Sequence, residues 1–495
     1  MIWAANLNLA DQATTGDTVA VRTMIQQGAD VNAVAADGTT ALHWIVRADD
    51  LELAALLIQA GAHVNVADRY GVTPLALACA NGNAAMVRKL LEAGANANAA
   101  DGAGETVLMT AAKIGNTDVL ELLLDHGAKV NAREPLWQST ALMLAVRANQ
   151  PAAVQLLLDR GAEVDARTRI GEKPARRPPN AGGGSHGLGI NRGGVPESGS
   201  QPPTPGGMTA VLYAVRDGRF PIARMLLTKG ADVNLADANG IPPLQMAISN
   251  GQTELAEFLL DHGAKVNAAD DYGRTALWLA VEFRDLEYDR AGVQGVNRAS
   301  VLELIERLIA HGADVNARTT DVPPTRRFIM PLGDLSWVSF IGQTPFLRAA
   351  QSADLTVMHL LLDHGADPNI ATVEGTTALM AAAGVNWMTG QTYTESKEAQ
   401  LEAVKLCFEK GGSVNAVNSM GLTSMHGAAN RGSDEIIEFL ARHGAQLDAK
   451  DKQGRTPMDF AEGVFLETNP PERKPGTVAL LQKLMGQTPV AQIVH

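Results

Sequence analysis

The sequence predicts an all-α repeat protein, in which stacked helix pairs are joined by extended fingers with β-turns at their tips. The first observation is a glycine followed by a small residue, and the second is a threonine that opens an apolar run. Both markers keep a commonest step of 33 residues, so together they indicate one repeated supersecondary unit. The glycines are Gly28, Gly61, Gly94, Gly127, Gly161, Gly230, Gly263, Gly312, Gly365, Gly411 and Gly444. The threonines are Thr40, Thr73, Thr106, Thr140, Thr209, Thr275, Thr344, Thr377, Thr423 and Thr456, and Pro242 takes the equivalent place in one further unit.

The first helix of each unit begins at this threonine. Thr73 can cap a helix whose first turn takes Pro74, a position where the missing N–H of proline has no cost. Leu75 and the alanines that follow give a short helix with a small face, which permits close packing on the next unit. Gly82 is then expected to end the helix in a tight turn.

The second helix and the finger complete the unit. The segment TDVLELLLDHGA places leucines on one stripe at helical spacing, and Gly127 suits the left-handed position that terminates a helix. The stretch that follows the glycine, as in Val64–Gly71, predicts an extended finger with a β-turn at its tip.

These motifs resemble the ankyrin repeat, which is marked by TPLH-x-A followed by G-A-D-V-N-A. The matching segments are TALHWIV (Thr40–Val46), TPLALAC (Thr73–Cys79), TALMLAV (Thr140–Val146) and DHGADPNIA (Asp363–Ala371). The resemblance covers nearly the whole chain outside four insertions. It implies an ankyrin-repeat solenoid forming one continuous curved superhelix, and it says little about function.

The chain also resembles a group of long bacterial ankyrin proteins that carry similar insertions and an ending like TVALLQKLM (Thr477–Met485). That resemblance implies export to the periplasm or outside the cell, with the leader missing. The first residues have no basic region and no long apolar run, so the chain itself carries no secretory signal and otherwise favours the cytoplasm.

The irregular steps between markers predict the domain organisation. We expect a capping repeat at 1–36, repeats 1–4 at 37–167, a Gly/Pro-rich insertion at 168–206, and repeats 5–7 at 207–318 with an inter-helix insertion at 284–299. An aromatic insertion at 319–341 precedes repeats 8–10 at 342–452, which contain an inter-helix insertion at 385–397, and the chain closes with a capping repeat and tail at 453–495.

The insertions differ in kind. The Gly/Pro-rich segment is too poor in apolar residues to fold, so it is either a mobile, mildly basic arm that touches a partner or a tolerated linker. The apolar side chains of 319–341 either pack onto their own repeats or form part of an interface. Residues 272–393 hold ten of the 21 Phe, Trp and Tyr residues, and aromatic residues are enriched at interfaces, so this segment is the preferred specialised site.

Composition limits the partner. The formal net charge of −13 argues against a protein that binds nucleic acid by neutralising phosphates, and it favours a protein partner with a neutral or basic surface. No apolar run reaches the roughly 20 residues that span a bilayer, so membrane insertion is not expected. A monomer is favoured.

The resemblance implies that partners lie on the finger tips and on the inner face of the first helices, to which the insertions add aromatic side chains. Tyr70, Trp137 and Tyr272 occupy turns that the pattern usually gives to small polar residues. The residues predicted to contact a partner are Arg69, Tyr70, Lys113, Trp137, Arg147, Arg216, Tyr272, Arg274, Phe283, Trp337, Phe340, Trp387 and Tyr393.

Catalytic and metal sites are not indicated, and no cofactor is expected. Five histidines fall in the same x-H-G slot of successive repeats and are therefore structural, and the resemblance gives His43 and His426 a role in hydrogen bonds between units. Cys79 takes the place of a small core residue, which indicates inert burial. The Gly183–Gly187 segment matches G-x-S-x-G but lies in a Pro/Gly loop, without the strand and helix that a nucleophile elbow requires.

The sequence thus favours a non-catalytic scaffold for protein–protein interactions. Two alternatives remain open at this point. One is an enzyme or small-ligand binder whose site is enclosed by the insertions at 284–397, and the other is a structural or assembly subunit.

Overall fold

The structure is a computed structural model that describes residues 8–172, 206–285, 297–321, 341–385, 396–464 and 472–486. These residues form 24 α-helices, and their only β-structure is two isolated bridges. The predicted all-α repeat class is confirmed. Among the helices described, none is both long and apolar enough to cross a lipid bilayer.

The chain divides into two compact units, and unit 1 contains the described residues up to Gly171 and from 206 to Ala238. Its helices form consecutive pairs, in which we call the first helix inner and the second outer. They are α1 (Leu9–Thr14), α2 (Thr18–Gln26), α3 (Ala41–Arg47), α4 (Leu51–Gln59), α5 (Pro74–Asn81), α6 (Ala84–Glu92), α7 (Val107–Ile114), α8 (Thr117–Asp125), α9 (Ala141–Arg147), α10 (Pro151–Asp159), α11 (Ala210–Arg216) and α12 (Phe220–Thr228).

Unit 2 contains the described residues from Asn239 onward together with Glu172. Its helices are α13 (Pro243–Ser249), α14 (Thr253–Asp261), α15 (Ala276–Arg284), α16 (Arg298–Ala310), α17 (Pro345–Ser352), α18 (Leu355–Asp363), α19 (Ala378–Ala383), α20 (Lys397–Glu409), α21 (Ser424–Arg431), α22 (Asp434–Arg442), α23 (Pro457–Gly463) and α24 (Pro475–Leu484). The outer helices α16 and α20, which follow the two predicted inter-helix insertions, have 13 residues each, about one turn more than the other outer helices.

Local chemistry sets the helix ends as the sequence predicts. The Thr73 hydroxyl accepts a hydrogen bond from the backbone N–H of Ala76, and Pro74 occupies the first turn of α5. Gly82 ends this helix with a φ of 68°, a left-handed conformation that glycine adopts without steric cost. Alanines and branched apolar residues fill the space between helices, and in α4 the buried face consists of Leu53, Ala54 and Leu57.

Asparagine side chains join consecutive fingers. The Asn32 amide donates to the carbonyl of Gly61 at 3.0 Å, and its oxygen accepts from the backbone N–H of His63 at 2.7 Å. This two-bond clamp recurs at Asn65, Asn98, Asn131, Asn267, Asn316 and Asn415. At the equivalent place Asp165 accepts from the N–H of Asp232 at 3.0 Å, but an ionised carboxylate has no proton to donate.

Buried histidines connect neighbouring repeats, as the family resemblance implies. In unit 1, His43 Nδ1 accepts from the backbone N–H of Thr40, so Nε2 carries the proton and donates to the carbonyl of Val72 at 3.1 Å. His426 makes the equivalent bond to the carbonyl of Arg455 in unit 2. Burial holds the pKa of both imidazoles below its usual value, so both favour the neutral form.

The histidines of the x-H-G slot are structural, as predicted. In each, Nδ1 bonds the backbone carbonyl four residues earlier and so satisfies the end of an outer helix. They are His126, His262, His311, His364 and His443.

Candidate partner-binding surface

The finger of Tyr70 presents an exposed aromatic ring on a fixed backbone. The Asp68 carboxylate accepts from the N–H groups of Tyr70 and Val72, which closes the turn. The Tyr70 carbonyl accepts from Gly102 at 2.7 Å, so the tip is also bonded to the next finger. The ring is 63% exposed, and the guanidinium of the exposed Arg69 lies 4.8 Å from its centre. The pair therefore offers an aromatic face and a positive charge together.

The finger of Trp137 is held by a carboxylate inside its own turn. Glu134 accepts hydrogen bonds from the backbone N–H groups of Leu136, Trp137 and Ser139 at 2.7 to 3.0 Å. Partial burial acts to raise the pKa of the Glu134 carboxyl, but these hydrogen bonds outweigh it and hold the pKa below its usual value. Leu136 and Trp137 remain 64% and 48% exposed, so a rigid turn carries two apolar side chains into solvent.

Positively charged side chains line the inner helices of unit 1. They occupy one register position, the seventh residue after the threonine that opens each inner helix. This basic row consists of the exposed residues Arg47, Lys113, Arg147 and Arg216, with Ala80 at the same position of α5. Three of the four cations belong to the predicted contact residues, and Arg47 is an addition that the repeat register could have supplied.

Tyr213 links two members of the basic row. The ring of Tyr213 on α11 is half-buried, with the guanidinium of Arg216 at 5.0 Å from its centre and that of Arg147, on the preceding inner helix, at 5.4 Å. Burial raises the pKa of the Tyr213 hydroxyl, although the two arginines act to lower it. Arg147 and Arg216 are therefore positioned by a shared aromatic surface.

Two residues predicted for the surface lie in the interior of unit 2. Arg274 is 8% exposed, and its guanidinium pairs with the Asp270 carboxylate at 2.7 Å. Phe283 is 9% exposed and packs so close to Gly251 that a Cβ there would lie 2.8 Å from the ring. Tyr272 is half-buried, with Arg274 5.4 Å from its ring centre. Burial makes Arg274 and Phe283 part of the fold rather than part of an accessible face.

The remaining predicted contact residues belong to the aromatic insertions. Trp337, Phe340, Trp387 and Tyr393 lie outside the described residues, as does the G-x-S-x-G segment Gly183–Gly187.

Two of the insertions, 168–206 and 319–341, lie in fingers, and the residues at their ends bond each other as in a finger without an insertion. In unit 1 the Thr168 N–H donates to the carbonyl of Met208 at 2.9 Å, and in unit 2 the Thr319 N–H donates to the carbonyl of Gln343 at 3.1 Å. An arginine precedes each threonine and bonds carbonyls of both the returning segment and the next finger: Arg167 reaches Gly207 and Ala236, and Arg318 reaches Gly342 and Ala371.

A buried ionic cluster lies at the end of α15, in the segment that the sequence marks as specialised. Asp354 pairs with Arg284 at 2.7 Å and with Arg298 at 2.8 Å. Asp285 is fully buried, and its carboxylate oxygens lie 3.8 Å from Arg298 and from Arg348.

The two aspartates of the cluster differ in their ionisation. Burial raises the pKa of Asp285 to about 8 against the effect of Arg348, and the neighbouring Asp354 adds to the rise. Burial also acts to raise the pKa of Asp354, but its bonds to Arg284 and Arg298 outweigh burial and lower it. Nothing in the repeat pattern indicates this cluster, because Arg348 and Asp354 lie more than 60 residues from Arg284 and Asp285 in the sequence.

Other chemistry is sparse in the part of the chain that the structure describes. There, no group of three or more His, Cys, Asp or Glu side chains is arranged to hold a metal ion. Cys79 is buried as predicted, Cys407 is buried too, and burial raises the pKa of each thiol to about 12. Both thiols are therefore protonated and unreactive at neutral pH.

Comparison with protein-family models identifies ankyrin repeats along most of the chain. A family model described as ankyrin repeats in three copies matches residues 7–101, 97–168, 211–319 and 394–463, and a single ankyrin-repeat model matches 342–370. These matches cover more than half of the chain.

Curated relatives match only in part. The chain is 32% identical over 118 residues to the mouse (Mus musculus) ankyrin repeat and SOCS box protein 16, over 24% of this chain and 25% of that protein. It is also 32% identical over 123 residues to the probable 26S proteasome regulatory subunit p28 of Saccharomyces cerevisiae, over 24% of this chain and 48% of that protein. The chain thus spans between a quarter and half of the length of these relatives.

Among solved structures, the ankyrin repeat domain of Bcl-3 is 25% identical to this chain. The alignment covers 55% of this chain and 99% of that domain, with a TM-score of 0.41.

Proposed function

We propose, from the premise that this chain belongs to the ankyrin-repeat family, that it is a non-catalytic scaffold that binds a partner protein through its fingers and inner helices. Ankyrin repeats generally serve as scaffolds for protein–protein interactions. The observation that carries the proposal is the pairing of accessible aromatic rings with exposed cations in unit 1. The exposed Tyr70 pairs with Arg69, and the partly exposed rings of Trp44 and Tyr213 pair with Arg47 and with Arg147 and Arg216.

The energetic argument rests on preorganisation. The finger tips are already bonded within their own turns and to the next finger, so binding orders little backbone. Exposed aromatic residues and arginines are the side chains that most often dominate binding energy at interfaces. Tyr70, Trp137 and Arg147 are therefore the anchors that we propose. The aromatic insertions around Trp337 and Trp387 are proposed as a second contact region.

Charge limits the partner as a whole. A chain with a net charge of −13 repels acidic macromolecules at long range, so we propose a protein partner whose overall surface is neutral or basic, and no nucleic-acid ligand. We propose that the scaffold itself is a monomer. Arg274 and Phe283 are not included in the proposed surface because they are buried.

The test is an affinity pull-down with the full chain as bait. We expect the double substitution Tyr70→Ala and Trp137→Ala to lose at least one specific partner that the wild type retains. Val19 on the outer helix α2 is also exposed, so Val19→Ala is the matched control and should keep all partners. If the double variant and the control keep the same partners as the wild type, the fingers of unit 1 are not the binding site.

A deletion tests the second contact region. Removing residues 321–340 joins Thr320 to Ile341. The Ile341 carbonyl accepts a hydrogen bond from the backbone N–H of Val373, just as the Tyr70 carbonyl accepts one from Gly102 in a finger of ordinary length. The deletion should therefore preserve the repeat while removing the aromatic insertion. Unchanged partner recovery in this variant would eliminate the insertion as a contact.

A further inference from the structure

The basic row of unit 1 is a local reversal of the charge of the chain. The chain as a whole has 54 acidic and 41 basic residues, yet four of the five inner helices from α3 to α11 carry Arg or Lys at the seventh position after the opening threonine. In unit 2 the same register position carries Ser249, Glu282, Gln351, Gly384, Asn430 and Gly463, none of which is basic. Composition alone does not produce this pattern, so the row is a feature of unit 1.

An apolar row runs beside the basic one. The fourth position after the opening threonine, one helical turn before the cation, carries Trp44, Leu77, Leu144 and Tyr213, with the polar Thr110 as the one exception, and each is partly exposed. The Arg47 guanidinium lies 5.7 Å from the centre of the Trp44 ring. A ligand lying across the inner helices would therefore meet apolar surface on one side and positive charge on the other.

The cations are accessible to a ligand. Among the residues described, no carboxylate oxygen lies within 4.0 Å of Arg47 or Arg147, whose guanidinium groups lie over aromatic rings. Lys113 pairs with Glu105 at 2.6 Å and Arg216 with Asp217 at 2.7 Å. Exposed pairs of this kind contribute at most about 1 kcal/mol, so an incoming carboxylate can replace them.

The spacing of the row selects an extended peptide. Lys113, Arg147 and Arg216 lie on the consecutive inner helices α7, α9 and α11, and packed helices lie about 8–10 Å apart. A peptide in the extended polyproline II conformation rises about 3.1 Å per residue and has three residues per turn, so acidic residues three positions apart lie on one face and match cations on adjacent inner helices.

From this arrangement we propose that the inner face of unit 1 binds an extended acidic segment of a partner protein, with Asp or Glu at every third position and apolar residues between them. This inference rests on the proposed scaffold function and names the ligand chemistry of its inner face. A partner that is neutral or basic overall and carries one such segment satisfies both proposals.

The experiment selects binders from a random linear peptide library displayed on phage, with the immobilised full chain as target. We expect enriched peptides to carry acidic residues three apart. Labelled copies of these peptides are then measured by fluorescence polarisation against the wild type, the double variant Arg147→Ala and Arg216→Ala, and Arg88→Ala. Arg88 is exposed on the outer helix α6 and serves as the matched control.

The double variant should weaken binding about threefold to tenfold, because two exposed ion pairs are lost, and Arg88→Ala should not change it. Thermal unfolding of the double variant should match that of the wild type, since both arginines are exposed. A rise in salt concentration should weaken binding to the wild type more than to the double variant.

Other outcomes overturn the inference. The peptide selection overturns it if no peptides are enriched or if the enriched peptides lack acidic residues. Equal affinity of a peptide for the wild type and the double variant also overturns it. So does a single-stranded oligonucleotide that binds the wild type more tightly than any peptide and no longer binds the double variant. If enriched peptides depend on Tyr70 and Trp137 but not on Arg147 and Arg216, the inference fails while the scaffold proposal stands.

Discussion

Replacing Asp285 with asparagine tests whether the buried ionic cluster of unit 2 makes the stability of this protein depend on pH. The side chain is fully buried beside two arginines, and burial raises its pKa to about 8, well above the usual aspartate value of about 4. Between about pH 4 and pH 8 the folded chain therefore holds a proton that the unfolded chain releases. The stabilisation that this proton gives the folded state is complete below about pH 4 and is lost as the pH rises through about 8.

The magnitude follows from linkage. One extra proton held by the folded state changes the free energy of unfolding by about 1.4 kcal/mol for each pH unit within that window. Asparagine keeps the shape of the side chain and cannot ionise, so the Asp285→Asn variant should lose this slope. It should also be more stable than the wild type at neutral pH.

Urea unfolding at several pH values between about 5 and 8, followed by circular dichroism, measures the effect. The exposed Asp118 on α8 supplies the control, and Asp118→Asn should follow the wild-type curve. Hydrogen exchange of the α15 amides assigns the change to unit 2. If Asp285→Asn and the wild type show the same dependence of unfolding free energy on pH, Asp285 is ionised in the folded protein and the reasoning fails.

Three further substitutions test the contacts between repeats. His43→Ala removes a buried inter-repeat hydrogen bond and should lower the free energy of unfolding by about 1–3 kcal/mol. Because the pKa of His43 is lowered, the wild type should lose stability as pH falls below about 6.5, and urea unfolding should show less of this loss in the variant. Asp165→Asn supplies the missing donor toward the carbonyl of Gly230 and should raise stability by about 0.5–1.5 kcal/mol; an unchanged melting temperature would contradict this. Gly427→Ala would place a Cβ 2.5 Å from the backbone nitrogen of Val385 and should cost about 1–3 kcal/mol, so a wild-type melting temperature would show that α19 and α21 can separate.

The fold could be predicted because its determinants are local and repeat. The capping threonine, the first-turn proline and the left-handed glycine of one unit, such as Thr73, Pro74 and Gly82, act within a few residues of each other. The same chemistry recurs every 33 residues, so the helix pairs follow from the sequence. The V-N-A asparagines are visible in the same pattern, but their bonds to the next repeat emerge only when the repeats are stacked.

The candidate site was less accessible to sequence reasoning. The register assigned Tyr70, Trp137, Lys113, Arg147 and Arg216 to accessible positions, and all five are exposed, because fingers and the last turn of inner helices face solvent. It placed Arg274 and Phe283 there too, whereas the Asp270 carboxylate draws the first inward and the space beside Gly251 receives the second. The repeat register predicts which way a side chain points, but the neighbouring side chains determine whether it reaches solvent.

The Asp285 cluster left no sequence signal. Arg284 and Asp285 resemble the charged residues that follow many inner helices, and their partners Arg348 and Asp354 are more than 60 positions away. A repeat pattern averages over such differences, so residues that matter in one repeat alone are hidden by it.

The closure of both finger insertions has a consequence for how the chain can be cut and rejoined. Thr168 with Met208, and Thr319 with Gln343, hold the two ends of each insertion by the bonds of an ordinary finger. Each end is fixed independently of what lies between, which is the condition under which new termini or a guest domain are tolerated. A guest domain inserted within either segment leaves the described helix pairs intact, and either segment can be exchanged for a foreign sequence without changing the repeats that carry it.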